Sequence, residues 1–398
     1  MGVHVLEFPE VGEEARGSGS PRVSHFAGWP PLLARIALAA LALLLAASAL
    51  VQIAKSGTRS PWEGPVEVSS PAAPGSIAKP YDQDIALYEA AIARIRKGEN
   101  YYDFIVPEHR AWKYPVKPQF AVRLPTLAYL DAWLGAPGQI GAALALMFGI
   151  IIAWWRRFGD EGISYVRRAM ATAVVSVAAS LAVNRHYFPL HELWAGGLIA
   201  LSFGLHRIGR NGEGGRWLGA FCAAVLALAI RELTLPFVLL MLATALWYRN
   251  RKEALAWTML VILFAGAMAV HISLIERQVL PSDPHSAPWL VMRGLSGWLG
   301  NVSQASNLRW LPHFLAGPAV VLMTFGWLGF RGRTGTFGFL LSAGYGVAFM
   351  LAGRWDNFYW GAMIAPAMFA GIAFAPCALA QLVAAARLPI GASAPTAN

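Results

Sequence analysis

Residues 217–247 read WLGAFCAAVLALAIRELTLPFVLLMLATALW, a continuous apolar run with one charged pair, Arg231-Glu232, at its centre. As a single helix this run would be roughly 46 Å long at 1.5 Å per residue, against a bilayer hydrocarbon core of about 30 Å. Its flanks are both basic: Arg207, Arg210 and Arg216 precede it, and Arg249, Arg251 and Lys252 follow. Clusters of lysine and arginine gather on one face of a membrane, the cytoplasmic one. A single span would separate the two flanks, whereas two short spans meeting at Arg231-Glu232 keep them together. The run is therefore expected to be a helical hairpin with a charged turn inside apolar sequence.

The same rule threads the rest of the chain. Arg16, Arg22 and Arg35 place the N-terminus in the cytoplasm, and Leu32–Ala54 exits. Residues 55–120, polar and broken by prolines, form a large outer loop. Gly138–Trp155 returns to Arg156, Arg157, Arg167 and Arg168, Ala169–Val183 leaves, and Leu193–Leu205 comes back. After the hairpin, Leu255–Ile275 leaves and residues 276–312 form a second outer loop. Phe314–Phe330 returns to Arg331 and Arg333, Phe337–Ala352 leaves, and Ala362–Val383 returns to Arg387. The expected fold class is an all-α polytopic membrane protein with about ten spans and both termini cytoplasmic. A single membrane domain, 32–387, lies between a leader, 1–31, expected to be disordered, and a tail, 388–398. The leader lacks the short basic start of a cleavable signal, so Leu32–Ala54 is expected to stay as a span. Position 6 is leucine, which breaks the myristoylation pattern that Met1-Gly2 begins.

Composition agrees. Of 398 residues, 57% are hydrophobic and 14% charged, with a mean hydropathy of +0.48. A soluble domain carries about a quarter charged residues. The net charge of +10 is spread in short clusters between apolar runs and forms no aromatic-basic module, so a nucleic-acid partner is excluded. Cys222 and Cys377 both lie inside apolar runs and read as packing residues. Arginine outnumbers lysine, a hint of a GC-rich bacterial genome and so of the bacterial inner membrane. Asn301-Val302-Ser303 matches a glycosylation sequon that such a source would leave silent.

Several spans are short. About 15 residues cover roughly 23 Å, so the turns after Ala169–Val183 and at Arg231-Glu232 fall below the outer surface. Charge at that depth needs protein or water around it, which implies an outward-facing cavity. The outer turns collect the polar residues: Asp82 and Asp84; Asn184, Arg185, His186, His191 and Glu192; Arg231 and Glu232; His271, Glu276 and Arg277; Arg354, Asp356 and Asn357. The inner turns hold mostly arginine, so the working face is expected outside the cytoplasm. Each group also has a plainer reading. Asp82 can cap the amphipathic helix expected at residues 85–97, which stops at Gly98, while Asp84 favours its dipole. Arg231-Glu232 can be a charge pair closing a hairpin, and Glu192 can serve the N-terminus of Leu193–Leu205. His186 and His191-Glu192 match no compact zinc spacing, and no metal or cofactor is expected. Trp289–Trp298, with Arg293 interposed, is expected to be an interfacial helix on the bilayer surface. Trp355, Tyr359 and Trp360 add aromatic rings to the last of these outer turns.

Asp84, followed by Tyr88-Glu89-Ala90-Ala91, Gly98, Tyr101-Tyr102 and Tyr114-Pro115, resembles the first outer loop of C-type (GT-C fold) membrane glycosyltransferases. The match is nearest to the polyprenyl-phosphate-sugar-dependent mannosyltransferase-like group and covers mainly Tyr81–Gly135. The family's Tyr-Pro-Pro is here Tyr114-Pro115-Val116. The resemblance implies a catalytic acidic residue at Asp84, with Asp82 second, acting as general base, and a polyprenyl-phosphate-linked sugar as donor. The acceptor would be a glycan, lipid or protein hydroxyl, and Tyr88 and Tyr114 would lie near the substrates. Such transfer needs a base for the acceptor's proton and cations for the departing phosphate. Arg231, Arg354, His186 and His191 are the candidates for the phosphate, arginine through its bidentate fork. Two rival functions fit less well. A transporter or flippase often shows inverted repeats with midplane sites, and none is evident. A histidine-dependent acyltransferase or lipid polymerase would centre on His186 or His191.

Overall fold

The computed structural model describes residues 24–53, 80–207, 209 and 216–387, with the backbone alone at 80–83. Most of the expected leader, the start of the first outer loop and the tail 388–398 lie outside the described residues. The elements are α1 (Pro31–Leu50), α2 (Pro80–Arg96), α3 (Tyr101–Ala111), α4 (Thr126–Asp160), α5 (Tyr165–Ala179), α6 (His191–Leu205) and α7 (Leu218–Ile230). There follow α8 (Leu235–Trp247), α9 (Arg251–Glu276), α10 (Gly294–Gln304), α11 (His313–Gly326), α12 (Arg333–Leu351), α13 (Ala365–Met368) and α14 (Ala375–Arg387). Among the described residues there is no strand, only an isolated parallel bridge between Lys117 and His285.

Six helical stretches are long and apolar enough to cross a membrane: Pro31–Leu50, Gln119–Asp160, Tyr165–Val183, Arg251–Glu276, Arg333–Leu351 and Ala365–Arg387. Shorter apolar helices cover Leu218–Ile230, Glu232–Trp247 and His313–Gly329. Large apolar side chains such as Leu43, Ile262, Leu263 and Val347 point outward from these helices. Water does not tolerate that surface on so many helices at once, and lipid does. The chain is an α-helical membrane protein.

Inside, aromatic rings interlock at the centre of the bundle. Trp154 meets Phe203 edge-on at 4.9 Å and Trp327 at 5.7 Å, and Phe330 meets Phe374 at 4.8 Å. Elsewhere the helices close on glycine. A Cβ at Gly196 of α6 would overlap the carbonyl oxygen of Ala362, so α6 lies directly against the turn that follows α12. Small residues permit this backbone approach in apolar bundles.

The run 217–247 breaks as its charges require. Helix α7 ends at Ile230, Arg231 is extended (φ −146°, ψ 118°), a 3-10 turn covers Glu232–Thr234, and α8 starts at Leu235 with proline in its first turn. The first outer loop is a small body with its own core. Ile92 and Ile95 of α2 pack with Phe104, Ile105 and Val106 of α3, and with Val116, Val122, Ala128 and Ile275. Gly98 adopts φ 88° after α2, the expected stop. Helix α4 is bent where Gly135 takes φ 61°, ψ −179°. Its first part, with Leu127 and Ala128 buried, sits under the loop body, and its second part joins the bundle.

Three expectations are corrected. Helix α2 begins at Pro80, so Asp82 lies within its first turn and is not the cap; its side chain lies outside the described residues. Residues 289–293 are not helical, and α10 begins only at Gly294, with Trp298, Leu299, Asn301 and Val302 buried in the bundle. That segment is an irregular strap leading into an internal helix, because Gly297 lies against the carbonyl oxygen of Phe349. Residues 24–30, assigned to a disordered leader, pack on the bundle: Ser24 donates to Gln381 (2.6 Å), and His25 bonds the Leu328 carbonyl oxygen (2.9 Å) and Thr336 (3.0 Å).

Candidate active site

Helix α2 presents Asp84 one turn before Tyr88, on one face of the helix. The hydroxyl of Tyr114 donates to one oxygen of Asp84 (2.6 Å) and that of Tyr359 to the other (3.3 Å). Tyr114 follows α3, where its N–H donates to the His109 carbonyl (2.8 Å). The His109 ring, which bonds the Pro115 carbonyl oxygen (3.1 Å), is buried and its pKa is pushed down to about 4, so it is neutral at pH 7. Tyr359 comes from the 3-10 segment after α12, and the side-chain amide of Asn357 donates to its oxygen (3.4 Å). Two chain-distant segments thus orient one carboxylate.

Burial raises the pKa of Asp84 above its ordinary value, with Asp356 and Glu192 adding to the shift, while the Tyr114 hydrogen bond and Arg123 oppose it. Tyr88 is pushed up to about 12, chiefly by burial, and Tyr114 is raised by burial and by the Asp84 charge. Both tyrosines are therefore neutral donors at pH 7.

Behind Asp84 stands a chain of charges. Arg123 donates to the Tyr88 hydroxyl (3.2 Å) and lies 3.8 Å from Glu232. Glu232 is paired with Arg231, and Arg231 is 2.7 Å from Glu192. The Arg231 and Glu192 side chains are each 1% exposed. His191 rests against Tyr88 with ring centroids 5.0 Å apart. Tyr88, Arg123 and His191 share the wall of one small cavity with Tyr101, His109 and Asp131.

Of the residues expected from sequence, Asp84, Tyr88, Tyr114, His191, Glu192, Arg231, Glu232, Asp356 and Asn357 are drawn together. His186 is exposed, ring to ring with Tyr187. Arg354 makes a two-pronged pair with Asp356 (3.0 and 2.9 Å) and also reaches Ser286 and the Ala287 carbonyl. Arg231, favoured for a phosphate, has its charge engaged by two acids in the fold.

Arg123 was not legible. The outer loop was expected to end at residue 120 and the next span to begin at Gly138, which left Val122-Arg123-Leu124-Pro125 unassigned between them. The available signal was an arginine between apolar neighbours. His271, expected among the polar set, proves to be a tie: its ring bonds Tyr102 and the Val122 carbonyl oxygen, each at 3.1 Å.

Chemically, the cluster offers an oriented carboxylate with a raised pKa, tyrosine hydroxyls and an adjacent guanidinium. Such perturbed groups in a cleft mark functional sites. Among the described residues no group of three or more His, Cys, Asp or Glu is arranged to hold a metal ion. No family model, curated protein or solved structure matches this chain.

Proposed function

We propose that this protein is a membrane glycosyltransferase of the GT-C type, moving a sugar from a polyprenyl-phosphate donor to an acceptor hydroxyl on the extracytoplasmic face. The observation that carries the reading is Asp84, held on one oxygen by Tyr114 and on the other by Tyr359, in the outer loop where the resemblance to that family lies. In support of about ten spans, the three shorter apolar helices and α6 lie between the longer ones in chain order. The basic turns then fall on one side and the Asp84 cluster on the other.

In the proposed step, Asp84 takes the acceptor's proton as its oxygen attacks the anomeric carbon. The bond from that carbon to the phosphate oxygen breaks, and the lipid phosphate departs with the electron pair. One displacement inverts the anomeric centre. Each Asp84 oxygen has a further lone pair beyond the one its tyrosine occupies, so it can accept the proton without losing its orientation. A carboxylate with a raised pKa is also a stronger base. The leaving phosphate gains charge and needs a cation preorganised beside it. Arg123 suits this better than Arg231, because among the described residues the acid paired with it lies at 3.8 Å, while Arg231 is already neutralised by Glu192 and Glu232.

The test is transfer in proteoliposomes supplied with a polyprenyl-phosphate sugar. Asp84→Asn keeps the shape and removes the proton acceptor, so transfer should fall at least about a hundredfold with folding retained. Full activity in Asp84→Asn, or no transfer from any such donor by the unaltered protein, overturns the reading.

A further inference from the structure

The strap between α9 and α10 has a composition at odds with its position. It connects helices on the surface, yet Leu290 is 88% exposed and Met292 77% exposed. Trp289 is partly buried, its ring 5.1 Å from that of Phe120. The backbone here is tied to the end of α12: the Gly353 N–H donates to the Trp289 carbonyl (2.7 Å), and the Arg293 N–H to that of Met350 (3.0 Å). Leu290 and Met292 therefore stand beside the last turn of α12, where Val347 and Leu351 are also exposed. Because α12 crosses the membrane, its outward apolar face meets lipid, and the strap continues that face past the helix end.

The strap is also fastened to both walls of the Asp84 cluster. Toward Tyr114, the N–H of Val116 donates to the Pro284 carbonyl (3.3 Å) and that of Ser286 to the Lys117 carbonyl (2.6 Å). The Arg110 guanidinium pairs with Asp283 at 2.6 Å. Toward Tyr359, Arg354 donates to the Ala287 carbonyl (3.2 Å), and Arg293 donates both to Asn301 and to the Arg354 carbonyl, each at 3.0 Å.

We infer that residues 289–292 are a bilayer anchor: Leu290 and Met292 insert among the lipids at the membrane interface, and through the strap the bilayer sets the spacing of the Tyr114 and Tyr359 walls around Asp84. The occupant is membrane lipid, because the patch is continuous with the lipid-facing side of α12. Side chains of this kind in an interfacial segment are held by acyl chains at the headgroup boundary. The effect on Asp84 rests on the proposed function; the insertion does not.

Insertion is tested without any substrate. In a background lacking Cys222 and Cys377, an environment-sensitive fluorophore is placed at Leu290→Cys, at Met292→Cys and, for comparison, at Ser282→Cys, which is exposed in the same loop. In liposomes of phosphatidylethanolamine and phosphatidylglycerol, the first two should be quenched by shallow spin-labelled lipid at least about twofold more than the third. Equal, water-like emission at all three positions overturns the anchor. The coupling is then read with Leu290→Ser/Met292→Ser, which should lower transfer about tenfold or more, against Leu290→Met/Met292→Leu, which should retain it. Insertion with unchanged transfer in the serine variant overturns the coupling. If the unaltered protein transfers no sugar, the glycosyltransferase reading fails while the quenching result still decides the anchor.

Discussion

At Asp84 two effects compete: burial raises the pKa and the Tyr114 hydroxyl lowers it, with burial the larger. The acid limb of a pH–rate profile should therefore lie above the ordinary aspartate value of about 3.9. Tyr114→Phe removes the opposing hydrogen bond and should move that limb higher still. A limb that moves down would show that Asp84 is not the titrating base. The sign for stability follows from the same shift. A carboxyl whose pKa is raised on folding contributes stability fully below its unfolded value, and that contribution is lost as pH rises through the folded value. Asp84→Asn should thus fold at least as well as the unaltered protein at neutral pH. Arg231 behaves differently. Its guanidinium is buried between Glu192 and Glu232, so Arg231→Gln leaves buried negative charge and should cost about 3–5 kcal/mol. Adding Glu192→Gln should recover much of that loss in a thermal unfolding measurement. For Arg123→Lys the expectation is reversed, with stability kept and donor use weakened by loss of the guanidinium fork.

Among the elements, α4 and the hairpin α7–α8 do most to set the site. Gly135 bends α4 at φ 61°, ψ −179°, a region reached almost only by glycine. A Cβ there would meet nothing closer than Pro137 at 4.0 Å, so the penalty of Gly135→Ala is one of backbone alone. It should be about 1–3 kcal/mol, visible as a lowered unfolding temperature. No drop would show that the bend relaxes into straight helix. The bend lets Thr126–Leu134 follow the loop body while the remainder joins the bundle, which keeps Arg123 over Tyr88. The hairpin was legible because basic clusters flank residues 217–247 on both sides and a single span would separate them. The strap, in contrast, was misread. Tryptophan, leucine and methionine around Arg293 fit an amphipathic helix as well as an anchored extended segment, and only the ties to α12 separate the two.

For the whole molecule, the bundle has two unlike ends. Away from Asp84, His206 and Glu253 form a buried pair at 2.6 Å, joined by Trp257 (3.1 Å), and Arg157 bonds Thr334 (2.7 Å) and the Phe203 carbonyl (3.1 Å). These contacts tie α4, α6, α9 and α12 together far from the proposed chemistry. Cysteine labels at Lys252 and Arg331, both exposed, should react from one side of the membrane only, and a label at Ser282 from the other. Lys252 and Ser282 reacting from the same side would break the threading. Asn301, despite its sequon, is buried and accepts a hydrogen bond from Arg293, so neither glycan nor label reaches it in the folded protein.

The apolar runs and the basic turns between them were enough to establish a helical membrane protein and to break residues 217–247 at Arg231, because lipid leaves a backbone few other ways to satisfy its hydrogen bonds. A family resemblance in the first outer loop, rather than spacing, singled out Asp84, Tyr88 and Tyr114, and in the structure Tyr114 hydrogen-bonds Asp84. Which cation stands beside Asp84, that Glu192 joins Glu232 in neutralising Arg231, and that Tyr359 closes the second oxygen were decided by tertiary structure. Those partners are brought together by helix packing across the bundle, from 35 to 275 residues apart in the pairs Arg123–Tyr88 and Tyr359–Asp84. Local sequence holds no record of that distance, because hydrophobic pattern sets which face of a helix is buried but not which charged turn meets it there.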